Sequence, residues 1–254
     1  MKGLPQTQGR RFMKIGNSRV ILWDGKKSFK IWSTQKFHPA QAMNSRNRFQ
    51  ELWICSVVPH LTKKVQIMAQ TRGIRVHTIR SQDIPIHPAY SKIGIDRLLN
   101  VFAATRLTTE SFVVIDFGTA ITVDFFDAKK KRHLGGWITA GPKILAQALA
   151  RETALLPFIQ LERAHLGKTR TAALKPGKDT KSSLISGQLA YLRGIKNEAQ
   201  KFAESRLSHS SNVKIYVTGG WSQILRWSGM CSVPNLTLEG LAFISRKISL
   251  RSSR

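Results

Sequence analysis

Residues 112–127 of the chain read FVVIDFGTAITVDFFD, in which Gly118 and Thr119 separate two apolar runs. β-Branched and aromatic residues favour strands and glycine permits a sharp turn, so this stretch predicts a β-hairpin. Residues 14–25, KIGNSRVILWDG, repeat the arrangement around Gly16. In both stretches glycine lets backbone N–H groups approach an anion, and a small polar neighbour adds a donor. The pair therefore predicts two phosphate-binding turns and a phosphoryl-transfer enzyme.

The same order of elements occurs twice along the chain, which predicts two related α/β lobes. The predicted hairpins cover residues 12–32 and 112–126, the other strands residues 52–58, 76–79 and 213–217, and the main helices residues 93–107, 143–151 and 180–207. A helix is also expected over residues 39–51, a loop over residues 161–178, and a last helix from Leu238. The predicted domains are a disordered lead-in over residues 1–11, lobes over residues 12–92 and 93–246, and a basic tail over residues 247–254.

The net charge of the chain is strongly positive, with 41 Lys and Arg residues against 14 Asp and Glu residues, a formal charge of +27. Such a charge is typical of nucleic-acid binding, because Lys and Arg neutralise phosphates. It also suits a solvated surface on a protein whose ligands are small anions. The second interpretation is favoured, because the basic residues are spread from Arg10 to Arg254 and not gathered in one block.

The remaining composition indicates a globular protein of a reducing compartment. Hydrophobic residues make up 42% of the 254 residues, enough for a sizeable core. No apolar run has the length of a membrane span, and residues 1–11 lack the apolar segment of a secretory signal. Cys55 and Cys231 have apolar neighbours and are predicted to be core residues without a disulfide. We expect a cytoplasmic protein with no membrane segment.

Polar residues at two further strand ends indicate ligand binding. Asp116 precedes the second turn, where an ionised carboxylate can hold a cation and Thr119 can reach a phosphate oxygen. The alternative is an Asp that caps its own loop. Thr218, Gly219 and Gly220 end a strand and precede a helix, which leaves N–H groups and open space for an adenosine. The turn at Gly16, taken alone, is also compatible with an ordinary turn.

The order of five motifs makes a family resemblance specific. They are Gly16-Asn17-Ser18, Gly94-Ile95-Asp96-Arg97, Asp116-Phe117-Gly118-Thr119, Gly135-Gly136 and Thr218-Gly219-Gly220. This order, over roughly residues 12–245, resembles type III pantothenate kinases. That family belongs to the acetate and sugar kinase, heat-shock chaperone and actin superfamily. The resemblance implies two actin-like (ribonuclease H-like) lobes with an interlobe nucleotide cleft.

The resemblance also implies a reaction, in which ATP donates its γ-phosphoryl group to the primary hydroxyl of pantothenate and opens coenzyme A synthesis. Asp96 matches the family's general base, at a helix start that Ser91 is predicted to cap and where the helix dipole favours a carboxylate. The matching pantothenate contacts are Tyr90, Gly94, Ile95, Asp96, Arg97 and Thr180. A guanidinium such as that of Arg97 suits a carboxylate. For Asp96, Arg97, Tyr90 and Thr180, ordinary helix-start, ion-pair, loop or cap roles remain the alternatives.

The implied cofactors are ATP, Mg²⁺ and a monovalent cation, K⁺ or NH₄⁺. The matching ATP contacts are Lys14, Ile15, Gly16, Asn17, Ser18, Arg19, Val20, Ile21, Thr119, Thr218, Gly219 and Gly220. Asp116 matches the ligand of the monovalent cation. The family usually forms homodimers, so a homodimer is expected.

One departure from the family pattern concerns the first turn, where Lys14 replaces the usual Asp. Its positive charge would either replace part of the neutralisation that a metal provides or repel the metal. A smaller departure is Ala140 in place of Pro. Two other functions therefore stay open: a catalytically impaired kinase fold with a regulatory or nucleic-acid-binding role, and a kinase for a different small hydroxy acid.

Overall fold

The computed structural model describes residues 9–43, 49–162, 174–207, 213–222, 225 and 227–252. The chain forms two compact units, each built from more than one segment. Unit 1 contains the described residues up to Ile86, the segment Tyr90–Leu107 and the described residues from Asn235 onwards. Unit 2 contains His87–Ala89 and the described part of Thr108–Pro234.

Unit 1 is a five-stranded mixed sheet with helices on both faces. Its elements are β1 (Arg10–Ile15), β2 (Arg19–Trp23), β3 (Phe29–Ser33), α1 (Pro39–Ala42), β4 (Glu51–Ser56), α2 (Pro59–Gln70), β5 (Arg75–Thr78), α3 (Ile95–Ala104) and α6 (Leu236–Ser252). The strand order is β3-β2-β1-β4-β5, with β1, β4 and β5 parallel and β2 antiparallel to both its neighbours. Met13 and Ile15 pack with α2 in one core. Side chains alternate along a strand, so Phe12 and Lys14 lie on the other face, which α3 and α6 cover.

Unit 2 has the same topology. Its elements are β6 (Phe112–Phe117), β7 (Ala120–Asp127), β8 (Arg132–Ala140), α4 (Pro142–Glu152), α5 (Thr180–Arg206), β9 (Lys214–Thr218) and β10 (Met230–Ser232). The strand order is β8-β7-β6-β9-β10, with directions that match unit 1 strand for strand. Val113, Ile115 and Phe117 pack against α5 in its core. The predicted α/β class with two related lobes is confirmed, and Lys14 and Asp116 occupy equivalent places, one residue before the end of the first strand.

The structure divides the chain differently from the predicted boundaries at residues 92 and 246. Helices α3 and α6 both belong to unit 1, because they pack on its sheet and against each other, with their backbones in close contact. A Cβ built on Gly240 would lie 2.4 Å from the carbonyl oxygen of Leu99, so only glycine permits this approach. The predicted basic tail continues α6 as far as Ser252.

Several local predictions are corrected by the structure. Strand β1 begins at Arg10, within the predicted disordered lead-in, because residues 10 and 11 already pair with β4. In the predicted helix over residues 39–51, only Pro39–Ala42 is helical, and residues 44–48 lie outside the described residues. Residues 163–173 of the predicted loop and residues 1–8 of the lead-in also lie outside them. Cys55 is buried as predicted, whereas Cys231 is exposed on the edge strand β10. Among the described helices, none combines the length and apolarity needed to cross a bilayer.

Candidate functional site

The turn after β1 is fixed by hydrogen bonds to its carbonyl groups. The Thr34 hydroxyl donates to the carbonyl oxygen of Gly16 at 2.7 Å, and the Thr34 N–H donates to that of Ser18 at 3.1 Å. The N–H of Gly16 donates to the Arg19 carbonyl at 2.9 Å, which closes the turn. Asn17 and Ser18 are exposed at its tip. A turn fixed in this way can present donors to an anion without rearranging.

A polar network lies directly beneath this turn on the sheet face covered by α3 and α6. The Lys14 ammonium donates to the hydroxyl of Thr237 at 2.9 Å. That hydroxyl donates to Oδ1 of Asn100 at 2.7 Å. Thr237 and Asn100 are 3% and 1% exposed, whereas Lys14 is half-buried. The network joins β1, α6 and α3, and it holds a cation at the end of the first strand.

The start of α3 brings together the residues predicted to bind and activate the acceptor substrate. Asp96 is half-buried in the first turn, and its Oδ1 accepts the N–H of Arg97 at 2.9 Å. Arg97 is 4% exposed, and its guanidinium donates to the hydroxyl of Tyr90 at 2.8 Å. The helix begins later than predicted, with Gly94 and not Ser91 as its N-cap. A Cβ on Gly94 would lie 2.8 Å from Oδ1 of Asp96, so glycine makes room for the carboxylate.

The charges around this helix start affect the pKa of a buried thiol, that of Cys55. Cys55 is the neighbour of Lys14 on the adjacent strand β4. Burial raises the pKa of the Cys55 thiol, the negative charge of Asp96 raises it further, and Lys14 lowers it. A carboxylate and an ammonium therefore both act on one buried atom, which places Asp96 and Lys14 in the same part of unit 1.

In unit 2, the structure brings the turn after β6 beside the turn after β9. Asp116 pairs with Thr218 in parallel register, and the Trp221 N–H donates to the Phe117 carbonyl at 3.2 Å. Gly219 has a φ of +88°, and a Cβ there would lie 2.3 Å from Oδ1 of Asp116. Two predicted segments, far apart in sequence, thus form one glycine-lined cradle around a carboxylate.

The start of α4 completes this cradle. The N–H of Gly141 donates to the Thr119 carbonyl at 3.0 Å. A Cβ on Gly141 would lie 2.3 Å and 2.4 Å from the carbonyl oxygens of Thr119 and Gly118. The backbone of the turn after β6 therefore contacts Gly141, the residue directly before α4, and leaves no room there for a side chain.

The two turns differ in the groups that they offer to a ligand. Carboxylate oxygens such as those of Asp116 are ligands of hard cations. At the equivalent place in unit 1, the ammonium of Lys14 cannot ligate a metal ion.

Thr180 belongs to unit 2, whereas Tyr90, Asp96 and Arg97 belong to unit 1. It is the first residue of α5, exposed, and it follows the N-cap Asp179, whose Oδ1 accepts the Ser182 N–H at 2.9 Å. That hydrogen bond lowers the pKa of Asp179. Thr180 lines a cavity of about 580 Å³ between α4 and α5, together with Leu145, Leu149 and Tyr191. The cap role that was an alternative for Thr180 is taken by its neighbour.

Some predicted residues do not present side chains to a ligand. Ile15 and Val20 are 1% and 0% exposed in the unit 1 core, so only their backbone is available to ATP. Gly135 and Gly136 pair with β7 within strand β8 and are not part of the unit 2 cradle. Sequence reasoning missed Thr34, Asn100, Gly141 and Thr237. Of these, the Gly141-Pro142 pair at a helix start carried a detectable signal.

Two units of one five-stranded topology, each with a glycine turn at the end of its first strand, define an actin-like α/β fold. A protein described as a Baf family transcriptional activator from Campylobacter jejuni has this fold, with a TM-score of 0.65, 20% identity and coverage of 94% of this chain and 99% of that chain. An N-acetylmannosamine kinase described from Listeria monocytogenes gives a TM-score of 0.53 at 9% identity, with the same coverage.

The sequence comparisons narrow this class to one family. The sequence model of the type III pantothenate kinase family matches residues 14–200. The type III pantothenate kinase of Thermus thermophilus is 31% identical over 199 residues, which are 74% of this chain and 73% of that protein. The chain belongs to the type III pantothenate kinase family and is a kinase.

Proposed function

We propose that the protein transfers the γ-phosphoryl group of ATP to the primary hydroxyl of pantothenate, which gives 4′-phosphopantothenate and opens coenzyme A synthesis. Family membership supports the reaction class. The observation that carries the substrate assignment is the start of α3. There the buried guanidinium of Arg97 donates a hydrogen bond to the Tyr90 hydroxyl and lies next to the half-buried carboxylate of Asp96.

In the proposed reaction Asp96 accepts the proton of the attacking hydroxyl. The hydroxyl oxygen forms a bond to the γ-phosphorus, the bond from that phosphorus to the bridging oxygen breaks, and ADP leaves with the electron pair. The N–H of Arg97 holds the Asp96 carboxylate at 2.9 Å, and the helix start favours its negative charge. Positioning and charge stabilisation supply most of the acceleration in phosphoryl transfer.

Arg97 is proposed to bind the pantothenate carboxylate. A guanidinium offers parallel donors that match both oxygens of a carboxylate. The hydroxyl of Tyr90 accepts from one guanidinium nitrogen at 2.8 Å and so restricts its orientation. Gly94 and Ile95 contribute backbone beside it, and Thr180 of unit 2 is the remaining proposed contact.

The glycine turns are proposed to bind ATP. The residues assigned to it are Lys14 to Arg19 and the backbone of Val20 and Ile21 in unit 1, with Thr119, Thr218, Gly219 and Gly220 in unit 2. Asp116 is proposed as the ligand of K⁺ or NH₄⁺. Mg²⁺ bound with ATP would supply neutralisation of the phosphate charge.

The test is a coupled assay with ATP, Mg²⁺, K⁺ and pantothenate, with the product identified by mass. The wild type should form phosphopantothenate, and Asp96→Asn should lower kcat about 100-fold or more, because it removes the base. Asp83→Asn is the matched control, since it removes a carboxylate of the same unit from the short 3₁₀ turn Ser81–Asp83, away from α3. A wild type that binds ATP and does not phosphorylate pantothenate would refute the proposal, and competition by other small hydroxy acids would then identify the substrate class.

We also propose a cytoplasmic homodimer. Five large apolar side chains are exposed between residues 137 and 158 of unit 2, and exposed apolar side chains can be covered by a second copy of the chain. They are Trp137, Ile138, Ile144, Leu155 and Phe158. Light scattering on the purified protein should give twice the chain mass, and a monomer at micromolar concentration would contradict this.

A second candidate is a regulatory or nucleic-acid-binding role, which the charge of +27 favours. Titration of DNA and RNA binding against salt separates the two functions. Tight binding at physiological salt would support the second candidate. Binding that is lost there would leave the basic surface without a nucleic-acid role.

A further inference from the structure

One peptide group of unit 2, between Ala140 at the end of β8 and Gly141 at the start of α4, is hydrogen-bonded at both of its ends. Its carbonyl oxygen, that of Ala140, accepts the hydroxyl of Tyr191 in α5 at 3.0 Å. Its N–H, that of Gly141, donates to the carbonyl oxygen of Thr119 at 3.0 Å. Because a peptide group is planar, with its C=O and N–H pointing in opposite directions, the two bonds together fix its rotation. A side chain of α5 is thereby connected to the turn after β6.

The Tyr191 hydroxyl is itself oriented by a neighbour. Its hydrogen is directed at the Ala140 carbonyl, so the hydroxyl of Thr139, which lies within hydrogen-bonding distance, donates to the Tyr191 oxygen. The ring of Tyr191 is partly buried and packs against the unit 2 core. Hydrogen bonds in a chain strengthen one another, because each group that accepts becomes a better donor. The chain of donors runs from Thr139 through Tyr191 and the peptide group to the Thr119 carbonyl.

The turn after β6 has no free space in which to adapt if this peptide group moves. A Cβ on Gly141 would lie 2.3 Å and 2.4 Å from the carbonyl oxygens of Thr119 and Gly118, so the two backbones are already in close contact. The carbonyl oxygen of Gly141 accepts the Leu145 N–H at 2.9 Å, which also ties this residue to the first turn of α4. A change in the orientation of the peptide group therefore displaces Thr119, the residue proposed to reach a phosphate oxygen.

We propose that Tyr191 is a positioning residue for the phosphates of ATP. Its hydroxyl holds the peptide group between Ala140 and Gly141, and this group holds the turn of Gly118 and Thr119 in the arrangement that binds the nucleotide. This role rests on the proposed function, in which that turn binds ATP. It gives α5 an effect on ATP affinity through the backbone, without contact between Tyr191 and the nucleotide.

Equilibrium binding tests this role without the acceptor substrate. ATP with Mg²⁺ and K⁺ is titrated by calorimetry into the wild type, Tyr191→Phe and Tyr216→Phe. Tyr216→Phe is the matched control, because it removes a hydroxyl from a buried tyrosine of the same unit, on β9, whose partner Thr108 comes before β6 and not after it. We expect Tyr191→Phe to bind ATP about 5-fold more weakly, the effect of one lost neutral hydrogen bond, and Tyr216→Phe to bind ATP like the wild type.

Adenosine, measured as a competitor of ATP, separates positioning of the phosphates from a general effect on the fold. Adenosine has no phosphates, so its affinity for Tyr191→Phe should equal its affinity for the wild type. Circular dichroism and melting temperature show whether each variant is folded. If Tyr191→Phe does not fold, Thr139→Val replaces it, because it keeps the Tyr191 hydroxyl and removes the donor that orients it. ATP affinity should then fall in the same direction, again without a change for adenosine.

The role of Tyr191 is overturned if folded Tyr191→Phe binds ATP like the wild type, or if its affinities for ATP and adenosine fall by the same factor. An equal loss of ATP affinity in Tyr216→Phe would also overturn it. A wild type that binds no ATP would refute both this role and the proposed function. A chain that loses ATP affinity with Tyr191→Phe and does not phosphorylate pantothenate would uphold the role of Tyr191 and refute the substrate assignment.

Discussion

Replacing Gly219 by alanine tests whether the unit 2 cradle depends on the absence of a side chain. Two separate costs are expected at this position. The φ of +88° is a left-handed conformation, which costs a non-glycine residue about 1–2 kcal/mol. In addition, the new Cβ would lie 2.3 Å from Oδ1 of Asp116 and 2.7 Å from the Phe117 carbonyl group, whereas ordinary contacts begin near 3.4 Å. Asp116 or the backbone beside it must move to relieve this contact.

Two other glycines separate these costs. Gly229, in the same unit, has a φ of +79° and nothing within 4 Å of a built Cβ, so Gly229→Ala carries the conformational cost alone. Gly141 has an ordinary φ of −74° and close carbonyl oxygens, so Gly141→Ala carries the steric cost alone. The conformational cost corresponds to a fall in melting temperature of roughly 2–8 °C for a chain of this size.

The assay combines melting temperature with ATP binding. Gly229→Ala should melt lower and bind ATP like the wild type. Gly219→Ala and Gly141→Ala should weaken ATP binding about 10-fold or more, because displacement of a binding group by about 1 Å is strongly unfavourable. Wild-type ATP affinity in a folded Gly219→Ala protein would refute the assignment of this cradle to the nucleotide. Equal losses of affinity in all three variants would point to a general loss of stability.

Three further predictions concern unit 1 and the cysteines. Tyr90→Phe removes the acceptor for the Arg97 guanidinium and should raise KM for pantothenate about 10-fold with a smaller change in kcat, measured by steady-state kinetics; an unchanged KM would exclude Tyr90 from substrate positioning. Burial raises the pKa of Cys55, so at pH 8 a thiol reagent should modify only Cys231 in the folded protein and both cysteines after unfolding; a native Cys231→Ser protein that still reacts would contradict this. Burial also raises the pKa of Glu239, so the Glu239 carboxyl binds a proton more tightly in the folded protein than in the unfolded chain, and its contribution to stability falls as pH rises through that raised pKa. Glu239→Gln should therefore raise the melting temperature at pH 7.5, and this gain should shrink towards pH 4. A difference in melting temperature that does not depend on pH would contradict the prediction.

The strands and hairpins were predictable because their signals are local. The run of apolar residues before Gly118 and the one after it became β6 and β7, paired in antiparallel register across that turn. The long helix predicted over residues 180–207 is observed as Thr180–Arg206. Alternation, turn residues and helix caps act over a few positions, so a single sequence displays them directly.

The division into units was not predictable in the same way. Helix α6 covers the sheet that begins at β1, and the hydrogen bond from Lys14 to Thr237 joins residues 223 positions apart. No local pattern indicates which sheet a terminal helix covers. Gly240 permits the close backbone contact with α3, yet in sequence it is a single glycine within a helical segment.

The groups packed against Lys14 in unit 1 and Asp116 in unit 2 account for the opposite charges of these two residues. In unit 1 the hydroxyl of Thr237 gives its hydrogen to Asn100 and offers only its oxygen to position 14. An aspartate at position 14 would meet that oxygen with another acceptor, unless Thr237 abandoned a buried partner, which is costly. In unit 2 the turn and strand end beside Asp116 have glycines at 118 and 219, and the Asp116 carboxylate packs so closely against Gly219 that a Cβ there would lie 2.3 Å from its Oδ1. One topology therefore holds an ammonium in one copy and a carboxylate in the other, and in unit 1 the residues beside position 14, Asn100 and Thr237, come from helices outside the repeated hairpin.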